Sequence, residues 1–233
     1  MEKLKIGLVI ADEWEFVPMK KWAEKFNFIS VEKYKSEIVY FPFSEKIDIV
    51  AIEGGVGKVN AAFATSYLIF DEKCDIILNI GLSGAIKNVY KGDIVAGSEY
   101  IECDFDMTVI DYKPGEKPGG QDYLYSTDKK LLSILDGCKI DHIVRLGTGD
   151  IFLADKELKD YYEKTFDISS FDMETGAIAA VCFKTGTPHL SIRKISDDCD
   201  EAAVDSYREL NNKAELHLSE VLEEVLNKIQ ENY

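Results

Sequence analysis

The chain of 233 residues is short of basic side chains, with 27 Lys and Arg against 43 Asp and Glu and a formal net charge of −16. Such a field repels phosphate backbones and anionic membrane surfaces, so nucleic acids and membranes are poor partners. The acidic residues are dispersed along the chain and form no acidic tail, so we interpret them as solubilising surface charge.

The sequence also lacks long apolar runs and paired cysteines. No hydrophobic stretch approaches the length of a membrane span or a signal peptide. The five cysteines are odd in number and widely spaced, without a CxxC pair of the kind that binds zinc or performs redox chemistry. We therefore expect reduced thiols and a cytoplasmic protein.

What the chain does have is ample material for a core, since 46% of its residues are hydrophobic and 11% are aromatic. Its length is compatible with one domain over 1–233. Short apolar runs alternate with helical patterns and keep ending in glycine loops, which predicts an α/β fold with a mostly parallel sheet.

The apolar spacing predicts individual elements. Pro18 is tolerated best in the first turn of a helix, so a helix is expected to begin near Val17. The loop at 111–122 is predicted from its prolines and glycines. Further helices are predicted near 57–70, 127–136, 155–164, 173–184 and 205–230, and strands at 6–10, within 28–53, and at 47–53, 75–80, 93–100, 141–146 and 189–195.

A glycine turn at 54–60 joins a predicted strand to a predicted helix, where backbone N–H groups can approach an anion. The segment fails as a P-loop because Ile52 and Val59 occupy positions that require glycine and Ser or Thr. It fails as a dinucleotide fingerprint because Asn60 stands where a small residue is needed. A binding loop and a tight turn without a ligand remain equally open.

Two further segments place polar or aromatic side chains after predicted strands. In 147–153, Phe152 could lie against a planar base or face the core, and Asp150 could cap the next helix. In 171–179, Glu174 precedes an apolar helix, where it could complement the helix dipole or hold hydroxyl groups in a cleft.

A fourth segment, 191–198, ends an apolar strand with a cation, a hydroxyl and two acids. Strand alternation puts Arg193 and Asp197 on one side, with Ile195 between them, so both could face a cavity at the carboxyl end of the sheet. A surface salt bridge explains either residue alone but accounts less well for the whole cluster.

Seven segments, taken in order and with their spacing, resemble the 5′-methylthioadenosine/S-adenosylhomocysteine nucleosidases, and the resemblance spans nearly the whole chain. It implies the nucleoside phosphorylase superfamily and a three-layer α/β/α fold with a twisted, mostly parallel mixed sheet. It also implies hydrolysis of the N-glycosidic bond of a 5′-modified adenosine, without a metal or an organic cofactor. The segments are Ile6–Glu15, Gly55–Lys58, Asn79–Gly84, Gly92–Val95, Gly149–Phe152, Asp172–Glu174 and Arg193–Asp197.

The resemblance assigns catalytic roles to two carboxyl groups. Asp197 matches the acid that protonates N7 of adenine, which requires a raised proton affinity, and Ser196 is expected to orient it. Glu15 matches the group that activates water on the opposite face of the ribose, with Glu13 as the second choice. The pair parallels the two carboxyls of glycosidases, which handle leaving group and water separately.

The resemblance also assigns the groups that bind ribose and base. Glu174 matches the glutamate that holds the ribose hydroxyls, the backbone near Met173 flanks the sugar, and Arg193 fixes Glu174 and the water by charge-assisted hydrogen bonds. Phe152 stacks on adenine, and the main chain of Leu153 contacts the edge of the base.

The remaining candidates come from the pocket for the 5′ substituent and from the matched segments. The loop 107–112 resembles one that reaches a dimer partner, so a homodimer is implied. The 5′ pocket candidates are Val56, Met107, Ile110 and Tyr207, and the other substrate-binding candidates are Ser83, Gly84 and Asp12.

The chain departs from the family pattern around this pocket. The family usually has methionine where Asp12 stands, an aromatic where Ile110 stands, phenylalanine where Tyr207 stands, and often a small or hydroxyl residue where Leu82 stands. A more polar 5′ pocket could move the preference toward 5′-deoxyadenosine, adenosine or a larger 5′ group. Two rival functions remain: phosphorolysis by the same fold and a non-catalytic adenosine sensor.

Overall fold

The computed structural model describes residues 3–212 and 218–233. The strands are β1 (Leu4–Ile10), β2 (Ile29–Lys33), β3 (Ser36–Pro42), β4 (Ile47–Glu53), β5 (Ile76–Ala85), β6 (Ile94–Glu102), β7 (Leu124–Ser126), β8 (His142–Thr148), β9 (Ser170–Asp172) and β10 (His189–Asp197). The helices are α1 (Glu13–Ala23), α2 (Lys58–Phe70), α3 (Lys129–Ser133), α4 (Lys156–Phe166), α5 (Thr175–Thr185), α6 (Ala203–Asn212) and α7 (Leu218–Asn232), with short 3₁₀ turns at Glu24–Phe26, Thr108–Ile110 and Pro118–Gly120.

The strands form one mixed sheet in the order β10-β6-β8-β9-β5-β1-β4-β3-β2, with β7 paired to β6. The pairs β4–β1, β1–β5 and β5–β10 are parallel, whereas β2–β3, β3–β4 and β10–β6 are antiparallel. Because β10 pairs with both β5 and β6, the strands β5, β9, β8, β6 and β10 close into a ring. The predicted α/β fold with a mixed central sheet is confirmed.

Helices cover the sheet because successive residues of its buried strands face opposite sides. In β1, Ile6 and Leu8 belong to a core cluster that includes Leu222 of α7. Val9 belongs to a second cluster that includes Leu68 of α2 and residues of α5. Among the residues the structure describes, no helix is long and apolar enough to cross a membrane.

The predicted start of the first helix is wrong, because α1 begins at Glu13 and not near Val17. Asp12 is its N-cap and accepts a hydrogen bond from the Glu15 backbone N–H at 3.1 Å. Pro18 lies inside the helix. A side-chain cap stabilises a helix end, and here the cap decides the start instead of the proline.

The predicted end of the strand at 75–80 is also wrong, because β5 continues through Gly81 and Gly84 to Ala85. A Cβ on Gly81 would lie 2.7 Å from Glu15 Oε1 and closer still to Arg193 Nη1. Glycine in a strand often marks such a close approach. Glycine at position 81 therefore leaves room for the Glu15 carboxylate and the Arg193 guanidinium beside β5, and the strand continues.

Smaller differences concern the lengths of elements. Helix α3 is shorter than predicted, β10 runs on to Asp197, and the short strands β7 and β9 were not predicted. The helix predicted over 205–230 is described as α6 and α7, and its part at 213–217 lies outside the described residues.

Candidate active site

A cavity of about 160 Å³ lies where parallel strands end at their carboxyl side, which is the usual place for ligands of open α/β sheets. Segments that follow β1, β4 and β8 contribute to it, as do the ends of β5, β9 and β10 and one residue of α6. It is lined by Ala11, Asp12, Glu15, Val56, Leu82, Ser83, Gly84, Ile151, Phe152, Leu153, Phe171, Asp172, Met173, Glu174, Ser196, Asp197, Cys199 and Tyr207.

Most of the site residues predicted from the sequence therefore lie on one cavity. Arg193 lies behind its wall and reaches the lining through Glu174. Met107 and Ile110 do not line the cavity: they lie at the Thr108–Ile110 turn, where Ile110 is exposed. The cavity within one chain thus lacks two of the residues expected to surround the 5′ substituent.

Arg193 is fully buried and bound to acidic groups. Its Nη2 lies 3.3 Å from Glu174 Oε2 and 3.6 Å from Asp172 Oδ1, and its Nη1 donates to the Leu82 carbonyl at 3.2 Å. A buried charge needs such partners to offset its desolvation. The guanidinium therefore holds the Glu174 and Asp172 carboxylates and the Leu82 carbonyl in place.

Glu174 reaches the cavity because another residue caps helix α5. The Asp172 Oδ1 atom accepts hydrogen bonds from the backbone N–H groups of Glu174 and Thr175, both at 2.8 Å. The Glu174 Oε1 atom instead accepts from the Gly57 N–H at 3.0 Å. Burial raises the pKa of Glu174, while the Arg193 charge opposes that rise.

Asp172 lines the cavity, although no role for it was predicted from the sequence. Its carboxylate also accepts from the Thr175 hydroxyl at 2.7 Å and lies on the cavity. An acid three residues before a threonine at the start of an apolar helix is a recognisable capping pattern. That signal could have identified Asp172 as the group that orients Glu174.

The glycine turn at 54–60 is a tight turn that supports the site. Gly57 has φ of +94°, a left-handed conformation that favours glycine. The next residue, Lys58, donates its backbone N–H to Asp150 Oδ1 at 2.8 Å. The alternative that Asp150 caps the helix after it does not hold, because Asp155 caps α4, whereas Asp150 accepts a hydrogen bond from the first backbone N–H of α2. The N-terminus of α2 thus binds carboxylates of its own chain.

Glu15 is buried in the first turn of α1. Its Oε1 accepts from the Leu82 N–H at 2.6 Å and its Oε2 from the Ala11 N–H at 3.3 Å. Desolvation by burial raises the pKa of Glu15 to about 8, although the Arg193 charge acts in the opposite direction. The group can therefore exchange a proton near neutral pH.

Asp197 is buried at the end of β10. The Ser196 hydroxyl donates to its Oδ2 at 2.6 Å, and the Cys199 N–H donates to its Oδ1 at 2.9 Å. Burial raises the pKa of Asp197, and these two hydrogen bonds oppose the rise. The predicted simple alternation from Arg193 to Asp197 is interrupted by a bulge between Ile195 and Asp197, and bulges commonly re-aim side chains next to active sites.

Aromatic and polar side chains meet at the more exposed side of the cavity. The Phe152 ring is 42% exposed and packs edge-to-face on Tyr207, with centroids 5.6 Å apart. The Tyr207 hydroxyl donates to Asp12 Oδ2 at 2.9 Å. An exposed aromatic beside buried carboxyls offers a stacking surface for a planar ligand next to groups that bind hydroxyls or move protons.

Comparisons with known proteins extend over most of the chain. The model of the phosphorylase superfamily matches residues 5–227. A 5′-methylthioadenosine/S-adenosylhomocysteine nucleosidase of Bacillus subtilis (strain 168) is 31% identical over 194 residues, covering 79% of this chain and 83% of its own. The protein of the same name from an Exiguobacterium species is 32% identical over 215 residues, covering 86% of this chain and 91% of its own.

Solved structures show the same fold. A Helicobacter pylori 5′-methylthioadenosine/S-adenosylhomocysteine nucleosidase matches with a TM-score of 0.90 and 23% identity, over 98% of this chain and 100% of its own. A futalosine hydrolase of Helicobacter pylori strain 26695 also gives a TM-score of 0.90, with 22% identity over 97% of this chain and 98% of its own. Since enzymes with two different names share this fold, structural likeness alone does not identify the substrate.

Proposed function

Since the chain belongs to the phosphorylase superfamily and, within it, to the 5′-methylthioadenosine/S-adenosylhomocysteine nucleosidase family, we propose that its cavity hydrolyses the N-glycosidic bond of 5′-substituted adenosines. The products are adenine and a 5-substituted ribose. The observation that carries this proposal is that the buried residues Glu15, Glu174 and Asp197 line one cavity.

In this reaction Asp197 is the general acid. It transfers its proton to N7 of adenine as the bond between N9 and C1′ breaks, so the base leaves as a neutral molecule. A raised pKa keeps the carboxyl protonated to higher pH than usual, which is what a proton donor near neutral pH requires. Ser196 and the Cys199 N–H hold the carboxyl in place.

Glu15 is the general base for the attacking water. The water oxygen bonds to C1′ while Glu15 accepts the water proton, and proton exchange with solvent later restores both carboxyl groups. Glu174 accepts hydrogen bonds from the ribose hydroxyls, and Arg193 fixes Glu174 from behind. Positioned hydrogen bonds to the sugar stabilise its oxocarbenium character as the bond breaks.

The remaining lining residues fit the base and the sugar. Phe152 stacks on adenine, the Leu153 main chain contacts its edge, and the backbone near Met173 flanks the ribose. Ser83 and Gly84 complete the wall between β5 and Asp197. Base recognition by main-chain groups favours adenine, because amide donors and acceptors occupy fixed positions.

Water is a better nucleophile for this cavity than phosphate. Among the lining residues that the structure describes, none is Lys or Arg, whereas five are Asp or Glu. The Arg193 guanidinium is already paired with Glu174 and Asp172. A phosphate dianion would therefore meet repulsion without a free cation to offset it.

The direct test follows free adenine from a panel of 5′-substituted adenosines, with and without phosphate. We expect adenine release in phosphate-free buffer, a reducing-sugar product and no sugar phosphate. Calorimetry with 5′-methylthioadenosine distinguishes the enzyme from a non-catalytic adenosine sensor, which would bind the nucleoside stably without releasing adenine. A requirement for added phosphate would replace hydrolysis by phosphorolysis.

We further propose that the protein acts as a homodimer through the start of α2 and the Thr108–Ile110 turn. The Lys58 Nζ atom lies 2.6 Å from Asp104 Oδ1, which brings these two segments together. Val59 in the first segment is 81% exposed and Val109 in the second is 92% exposed, so a partner that covers both would bury apolar surface. In such a dimer, Met107 and Ile110 of one protomer would lie near the open side of the cavity of its partner.

Sedimentation equilibrium tests the dimer. The unaltered protein should sediment with the mass of two chains, and Val59→Asp should shift it toward one chain because a buried charge at an interface is costly. Asp71→Asn at the other end of α2 is a matched control that should remain dimeric. A monomeric unaltered protein at micromolar concentration would contradict the proposal.

A cytoplasmic location and a place in methionine salvage are proposed on the same basis. The five cysteines are free, and four of them are buried, which suits a reducing compartment. Hydrolysis of 5′-methylthioadenosine would return its methylthio group to salvage. Cell fractionation tests the location, and accumulation of 5′-methylthioadenosine in cells without the protein tests the pathway.

A further inference from the structure

A polar pair lies at the open side of the cavity and has no role in the catalytic steps above. Asp12 and Tyr207 both line the cavity, although 195 residues separate them in sequence. The Tyr207 hydroxyl donates to Asp12 Oδ2 at 2.9 Å, and the Glu15 N–H donates to Asp12 Oδ1 at 3.1 Å. The carboxylate is therefore held in one orientation from two sides.

This pair offers hydrogen-bond acceptors to a ligand. A carboxylate has about four lone-pair sites and no hydrogen to donate. Within the described residues, Asp12 accepts the two hydrogen bonds given above, so it retains capacity for a further donor. The single hydrogen of the Tyr207 hydroxyl is already given to Asp12. A group that donates hydrogen bonds complements the pair, whereas a thioether desolvates it without compensation.

Asp12 lies on the sugar side of the cavity rather than on the base side. It caps the helix that carries Glu15, and its Oδ1 accepts from the Glu15 N–H at 3.1 Å, whereas Asp197 lies at the end of β10. With adenine at Asp197 and the ribose at Glu15 and Glu174, the 5′ carbon is the part of the nucleoside that extends toward Asp12.

We propose that Asp12, held by Tyr207, selects adenosines whose 5′ substituent donates hydrogen bonds, a hydroxyl or above all an ammonium group, over those with a 5′-methylthio group. This inference rests on the proposed function and names the substrate class of the same cavity. The negative charge of Asp12 adds attraction for a cation and repulsion for a carboxylate.

The test compares 5′-amino-5′-deoxyadenosine with 5′-methylthioadenosine at pH 7 in the unaltered protein and in Asp12→Asn. Asparagine caps a helix as well as aspartate does, so α1 should persist. We expect the ratio of kcat/KM for the amino over the methylthio substrate to fall about tenfold or more, the size of one charge-assisted hydrogen bond. Using this ratio cancels any effect of the substitution on Glu15.

Controls make each outcome decisive. Asp155→Asn alters the cap of α4 outside the cavity and should leave the ratio unchanged. Asp12→Ser, a second uncharged cap, repeats the test if Asp12→Asn folds poorly. A change smaller than tenfold in folded Asp12 variants would overturn the selectivity inference while adenine release continues. Absence of adenine release from every nucleoside would instead reject the proposed function.

Discussion

Asp197→Asn should lower kcat by a factor of about 10²–10⁴, the usual contribution of a positioned general acid, while leaving nucleoside affinity largely intact. Asparagine keeps the shape of the side chain and can still accept from the Cys199 N–H. It cannot transfer a proton to N7, so the purine would have to leave as an anion.

Steady-state release of adenine gives the rate for this variant, and titration calorimetry with 5′-methylthioadenosine gives its affinity. Asp205→Asn is the matched control, because Asp205 is exposed and outside the cavity lining. That control should keep the unaltered rate. Unchanged turnover in Asp197→Asn would refute the acid role.

Glu15→Gln should also lower kcat by about 10²–10⁴, because glutamine cannot accept a proton from water. The pH profile of kcat/KM in the unaltered protein should have a limb near pH 8, since burial raises the pKa of Glu15 to about 8 and the reaction requires Glu15 ionised while Asp197 is protonated. The variant should lose this limb. Glu13→Gln is the control: Glu13 is exposed, lies two residues away and does not line the cavity.

Glu15→Gln should also weaken the dependence of the melting temperature on pH. A carboxyl whose pKa is raised on folding stabilises fully below its unfolded value of about 4.5 and loses that stabilisation as pH rises toward about 8. Glu15→Gln removes this loss, so its melting temperature should fall less between pH 5 and pH 8 than that of the unaltered protein. Equal pH dependence, together with a normal rate, would contradict the assignment of Glu15.

Features determined by neighbouring residues could be predicted from the sequence alone. The buried run of β1, the helical spacing of α2 and the apolar stretch of β10 each depend on side chains a few positions apart. The α/β fold followed from their alternation. The site candidates came from seven segments whose order and spacing resemble those of the nucleosidase family, although each segment alone was ambiguous.

Competing local signals caused the errors. Pro18 suggested a helix start that the Asp12 cap overrides, and Gly81 suggested a loop where β5 continues. Asp150 lies a few residues before α4 but caps α2. The Asp12 cap is a local signal, three residues from its partner Glu15. For Gly81 and Asp150 the deciding partners come from distant segments, so their positions depend on how the chain folds.

The sequence by itself determined the fold class and which carboxyl groups were available for chemistry, because periodicity and capping are encoded within a few residues. Only the tertiary structure decided their states and partners: burial raises the pKa of Glu15, Gly57 binds Glu174 across 117 positions, and Tyr207 orients Asp12 across 195. The physical reason is that desolvation and hydrogen bonding between distant segments exist only after the sheet has brought its strand ends together.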